Sequence, residues 1–125
     1  MIVGVGIDVV AVARVAALLE RHGRRFLARC FADGEPRRLE AEHLAGLMAA
    51  KEACFKALGT GWGSGVTWHD VTVARAATGS PFLDLTGNAS VRAAQLGASR
   101  SHLSISHDAG LAVAVVILEA ERGEA

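Results

Sequence analysis

Lys51, Glu52 and Lys56 bring two ammonium groups and a carboxylate together in a short stretch of chain whose surroundings read as a helix. On that helix Glu52 and Lys56 lie one turn apart on a flank beside Ala45 and Ala49. Lys51 projects from near the centre of an apolar stripe made by Leu44, Leu47, Met48, Phe55 and Leu58. Such a trio also fits a surface ion pair beside a snorkelling lysine. Lys51 argues for more, because a cation centred on a core-facing stripe must find an anion or lose its charge. An anionic ligand would supply that partner. Gly59 then ends the helix as a left-handed cap. It opens the run Gly59-Thr60-Gly61-Trp62-Gly63-Ser64-Gly65, which lacks the lysine and hydroxyl order of a Walker loop. The run reads either as a flexible connection or as loop amides that, beside Lys51 and Lys56, form an anion cradle.

Further groups with chemical potential stand near the two ends of the chain. In the apolar run from Ile2 to Val10, a period of two puts Gly4, Gly6 and Asp8 on one face, a groove with a carboxylate at its end. Asp8 there suits either a cap for the following helix or a metal ligand. Ser104, Ser106, His107 and Asp108 suggest a hydrolase, but neighbours on a strand point to opposite faces, so Ser106 and His107 do not meet as nucleophile and base. No nucleophile elbow surrounds either serine. His107 is a ligand contact or a hydrogen-bonded structural histidine.

The elements that must position these groups follow from the hydrophobic pattern. Ile2 to Val10 predicts a strand covered on both faces. A helix follows from Ala11, with Val12, Val15, Ala16 and Leu19 inward and Arg14 outward. Pro36 marks a short helix or a bend before the central helix. Val71 to Ala74 and Phe82 to Leu85 pair as a hairpin, and Ala89 to Leu96 is a short helix ended by Gly97. His102 to His107 and Leu111 to Leu118 form a second hairpin, whose wholly apolar last strand is central. The order predicts one α+β domain over residues 1–125, a mainly antiparallel sheet packed with helices.

Composition narrows the function. A chain of 125 residues makes one domain with a small core that oligomerisation would help. No apolar run is long enough to span a membrane, and no charged leader precedes the first apolar residues. Cys30 and Cys54 are unpatterned, which points to a reducing cytoplasm, and the scattered histidines argue against structural zinc. The net charge is zero. Between Val9 and Ala32, however, Arg14, Arg21, Arg24, Arg25 and Arg29 face a single acid, Glu20. This is either a solvated helix face or a docking surface for an acidic protein. Aromatic residues for base stacking are too few for nucleic acid.

Taken together, these residues resemble the holo-acyl-carrier-protein synthases, the small bacterial type of 4'-phosphopantetheinyl transferase. The resemblance rests on Gly-Val-Gly-Ile-Asp at 4–8, Arg14, the segment 29–35, Ala-Ala-Lys-Glu-Ala at 49–53 with Lys56, Gly-Thr-Gly at 59–61 and Leu-Ser-Ile-Ser-His at 103–107. It implies a homotrimer with active sites between subunits, coenzyme A as donor, magnesium as cofactor and a serine of apo-acyl carrier protein as acceptor. Asp8 and Glu52 match the family's magnesium ligands, and Glu52 is the candidate base for the carrier hydroxyl. Lys56 would stabilise or protonate the departing 3',5'-ADP, and Lys51 would face phosphate oxygens. Gly59, Thr60, Gly61 and His107 match positions lining the coenzyme A site. Arg14 matches a carrier-docking position, with Arg21, Arg24 and Arg25 assigned to that surface more loosely. Leu47 and Met48 stand where many relatives carry an arginine and a bulky aromatic. The alternative is a non-catalytic domain that binds coenzyme A or carrier protein; the joint presence of Asp8, Glu52 and Lys56 favours the enzyme.

Overall fold

The structure is a computed structural model and describes residues 1–60 and 65–121. Its elements are β1 (Ile2–Ala11), α1 (Val12–His22), α2 (Arg24–Cys30), α3 (Ala41–Leu58), β2 (Val71–Arg75), β3 (Pro81–Leu85), α4 (Gly87–Gln95), β4 (Arg100–Asp108) and β5 (Leu111–Glu119). A short 3-10 turn, Trp68–Asp70, precedes β2. The strands form two antiparallel sheets, β1-β5-β4 and β2-β3. The domain is therefore α+β as the sequence predicts, but with the strands divided between two sheets. The apolar strand β5 is central, as its composition requires.

Helix α3 is the hub, packed against β1 and β5 and also touching α1, β2 and β4. The sequence predicts an amphipathic helix, but α3 is buried around most of its circumference from Leu44 to Leu58. The physical reason is side-chain size. Ala45, Gly46, Ala49, Ala50, Ala53 and Ala57 fill the positions between the large residues, so neighbouring layers approach from several sides. Each large apolar side chain buried there, such as Leu44 or Leu58, contributes about 1.5–3 kcal/mol. Gly59 ends the helix at φ 71°, the predicted left-handed cap.

Gly4 and Gly6 set how closely β1 meets α3. A Cβ on Gly4 would collide with the carbonyl of Ala57, and one on Gly6 with the backbone of Ala53 and Ala57. Opposite them β5 presents Ala112, Ala114, Val116 and Leu118 inward, all buried. The other face of β1 corrects the expectation of a strand covered on both sides. Val5, Ile7 and Val9 are 58%, 58% and 52% exposed. They pair across the ladder with Ile117, Val115 and Val113, so an unbroken apolar strip lies on the outside of the sheet. Among the described residues, helix packs on one face of this sheet. An apolar alternation on both faces reads the same whether its second cover comes from the same chain or from another.

Candidate active site

The close contact of β1 and α3 brings together residues distant in sequence. Lys56 Nζ donates to Asp8 Oδ1 at 2.8 Å and to the carbonyl of Ile7 at 3.0 Å. Asp8, on the same strand face as Gly4 and Gly6, is thereby aimed along the helix flank that carries Glu52. Arg14, from the first turn of α1, stands 3.9 Å from Glu52 Oε1. Lys56 therefore pairs with Asp8 and not with Glu52, although the latter is one turn away on its own helix.

The two carboxyls are electrically coupled. Burial raises the Glu52 carboxyl, and the hydrogen bond and charge of Asp8 raise it further, to about 7, with Arg14 and Lys56 opposing. Burial also works to raise Asp8, but its contacts with Glu52 and Lys56 and the amide of Val9 prevail, and its carboxyl lies below the usual value. One carboxyl thus stays ionised while its neighbour changes charge near neutrality. Asp8 Oδ2 is buried and has no hydrogen-bond partner, which is costly for a carboxylate oxygen unless a cation takes the place. Two oxygen-bearing side chains, one with an orphaned atom, suit a hard divalent ion that completes its shell with phosphate and water. Among the described residues no cluster of three or more His, Cys, Asp or Glu exists to make a transition-metal cage.

Lys51 requires a correction. Its side chain is wholly buried. Its ammonium donates to Trp68 O at 3.0 Å and Val71 O at 2.5 Å, and meets Glu35 Oε1 at 2.9 Å above the ring of Phe31. Burial depresses the ammonium below its ordinary range while Glu35 works the other way. The requirement for an anion holds, but the anion is internal. Sequence reasoning missed Glu35 as that partner. The only sequence signal was the unmet demand of Lys51, since Glu35 lies in an irregular connection with no periodicity to place it.

His107 ends β4 with its ring against Gly46, and its Nε2 lies 3.0 Å from the carbonyl of Glu42. It is exposed and held by a backbone contact. Gly59 and Thr60 line an open polar cavity of about 390 Å³ with Asn88, Arg92 and Gln95. Gly61 lies outside the described residues. Arg92, which sequence reasoning did not single out, donates from Nε to the carbonyl of Leu58 at the end of α3.

A second cavity of about 390 Å³ opens where α1, α2 and α3 meet. Arg14, Arg25 and Arg29 contribute charge to its lining, and Phe26, Met48 and Trp68 contribute apolar surface. Arg14 therefore belongs both to this cavity and to the surroundings of Glu52. Arg21 is exposed on α1 and does not line it.

A two-carboxylate site on a glycine-opened strand, backed by a lysine and approached by an arginine that also lines a basic cavity, has the parts of a metal-assisted phosphoryl transferase. The class is fixed by comparison with known proteins: residues 4–116 match the model of the 4'-phosphopantetheinyl transferase superfamily, and the chain belongs to that family. Within it, the chain is 47% identical over 129 residues to the holo-[acyl-carrier-protein] synthase of Methylobacterium radiotolerans, covering 96% of this chain and 95% of that one. It is 50% identical over 122 residues to the synthase of the same name from Solidesulfovibrio magneticus, covering 95% and 99%. Its fold matches that of the Helicobacter pylori synthase in complex with coenzyme A with a TM-score of 0.83 and 32% identity, over 92% of this chain and 99% of that one.

Proposed function

We propose that this protein transfers the 4'-phosphopantetheine group of coenzyme A to a serine of apo-acyl carrier protein, releasing 3',5'-ADP. The observation that carries the reading is the meeting of Asp8, Glu52 and Lys56, with one buried oxygen of Asp8 left without a partner. Its relatives' name and the coenzyme A in the Helicobacter pylori structure agree with it.

Asp8 and Glu52 would hold a magnesium ion, which when bound neutralises diphosphate oxygens and increases the electrophilicity of the phosphorus. Glu52 takes the proton of the carrier serine hydroxyl. The serine oxygen bonds to the phosphorus that bears the pantetheine arm. The bond from that phosphorus to the bridging oxygen breaks, and the bridging oxygen leaves on 3',5'-ADP. Lys56, anchored on Asp8 and Ile7 but with its side chain 58% exposed, meets the charge that develops on that oxygen. Gly59, Thr60, Gly61 and His107 are proposed to line the coenzyme A site, and Lys51 is not. Arg14 and Arg25 at the cavity, with Arg21 beside them, offer forked donors to an acidic carrier.

The outer strip of Val5, Ile7, Val9, Val113, Val115 and Ile117 supports assembly into a homotrimer with active sites between subunits. Light scattering at micromolar concentration should return three times the chain mass; a monomer removes the assembly. The reaction is tested by intact-mass spectrometry of apo-acyl carrier protein after incubation with this protein, coenzyme A and magnesium, with a parallel sample in chelator. The expected result is a metal-dependent gain of about 340 Da, the phosphopantetheine arm. Coenzyme A binding with no gain on any carrier would leave a binding module in place of the enzyme.

A further inference from the structure

Lys51 and Glu35 form a fully enclosed ion pair that the reaction does not use. Burying two charges rarely improves stability over a well-packed apolar pair of the same size, so its directional bonds hold the greater interest. The Lys51 ammonium has three donors, and all three are engaged: by Glu35 Oε1, by Trp68 O and by Val71 O. Glu35 in turn accepts from the amides of Ala32 at 2.9 Å and Val73 at 2.7 Å. A single point on α3 is thereby tied to the α2–α3 connection, to the 3-10 turn and to the start of β2. One more bond closes the circuit, because His69 Nε2 lies 2.7 Å from Ala28 O and links that turn to α2.

The tied segments are those that wall the basic cavity opposite Arg14: Phe26 and Arg29 from α2, and Trp68 from the 3-10 turn. The distance of α3 from β1 is set independently, by the contacts of Gly4 and Gly6 with Ala57 and Ala53. We infer that Lys51 and Glu35 are positioning residues for the carrier-facing wall, holding α2 and Trp68 on α3 at a fixed distance from Glu52. Their bonds run to Ala32, Trp68, Val71 and Val73 and to none of Asp8, Glu52 or Lys56, the proposed metal site. This rests on the reading of the cavity as the carrier's docking place.

The test is a set of variants assayed for carrier KM, coenzyme A affinity by calorimetry and thermal stability. Lys51→Met alone strands the Glu35 charge and is expected to lower the melting temperature strongly. Combining it with Glu35→Gln removes both charges, and much of that loss should return. In the double variant kcat/KM for the carrier is expected to fall between about 10- and 100-fold, as for small displacements of groups that orient a substrate, while coenzyme A affinity stays at the wild-type value. A purely structural pair would instead recover carrier kinetics along with stability. His69→Ala, at an exposed position, loosens the same wall without burying an unpaired charge and should raise carrier KM by a smaller factor. Wild-type carrier KM in His69→Ala, or in a folded double variant, overturns the inference, as does an equal loss of carrier and coenzyme A binding. Failure of the wild-type protein to modify any carrier is a separate result, against the proposed function itself.

Discussion

In chelator, the coupled carboxyls should make the protein lose stability as the pH rises through neutrality, and Glu52→Gln should remove that loss. A glutamate in the unfolded chain titrates near 4.5, whereas folded Glu52 titrates at about 7. Between these values the native state binds the proton that the unfolded chain has already released. The contribution is therefore complete below pH 4.5 and is lost as the pH passes about 7. The gap, at about 1.4 kcal/mol per pH unit, is worth about 3 kcal/mol. Asp8 is displaced the opposite way, so it is ionised in both the folded and the unfolded chain above pH 5 and leaves the slope in this range unchanged. Between pH 5 and pH 8.5 the loss is about 2.5 kcal/mol, which for a chain of 125 residues is a fall of about 10 °C in melting temperature. The assay is thermal unfolding across this range with chelator and with magnesium, each referred to Glu52→Gln. The subtraction cancels the histidines, including His43, which burial and the charges of Arg38 and Arg75 hold below its usual value. Magnesium, by favouring both ionised carboxylates, should flatten the wild-type slope. A difference between wild type and Glu52→Gln that does not change with pH in chelator would refute the coupling.

Two more changes test the parts of the site separately. Gly6→Ala forces a Cβ into the backbone of Ala53 and Ala57, so it should cost about 3 kcal/mol by overpacking, measured by denaturant unfolding; stability within 0.5 kcal/mol of wild type would mean that β1 and α3 do not set the site's spacing. Lys56→Ala leaves the core untouched, because its side chain is largely exposed. It should lower kcat about 100-fold while the protein stays folded, and a wild-type rate in the intact-mass assay removes Lys56 from the chemistry.

The meeting of Asp8, Glu52 and Lys56 was legible because regular elements carry them. A period of two fixes Asp8 on the face of Gly4 and Gly6, a period of 3.6 fixes Glu52 and Lys56 on one flank, and the glycines announce a close approach. What could not be read was the identity of tertiary partners. Lys51 demanded an anion, but nothing local distinguishes a ligand phosphate from Glu35, which reaches it from an irregular connection. The same limit applies to Lys56. Its neighbour in sequence is Glu52, and its partner in space is Asp8, because strand β1 crosses the helix at that turn. The outer face of β1 shows the converse. Val5, Ile7 and Val9 announced burial, but among the described residues they remain more than half exposed.

The stability prediction and the proposed chemistry share one origin. Gly4 and Gly6 let α3 come close enough for Glu52 to feel Asp8, and that proximity lifts the Glu52 carboxyl to about 7, where it can accept a hydroxyl proton in neutral solution. The same proximity leaves Asp8 Oδ2 buried without a partner and makes the two ionised carboxylates repel. A side chain at residue 6 would push the strand and helix apart, ease the repulsion and lower the Glu52 carboxyl toward its ordinary value, so relieving the strain would weaken the base. A divalent cation held by Asp8 and Glu52, as proposed above, would satisfy both carboxylates without separating them, and its affinity would then depend on the spacing of β1 and α3.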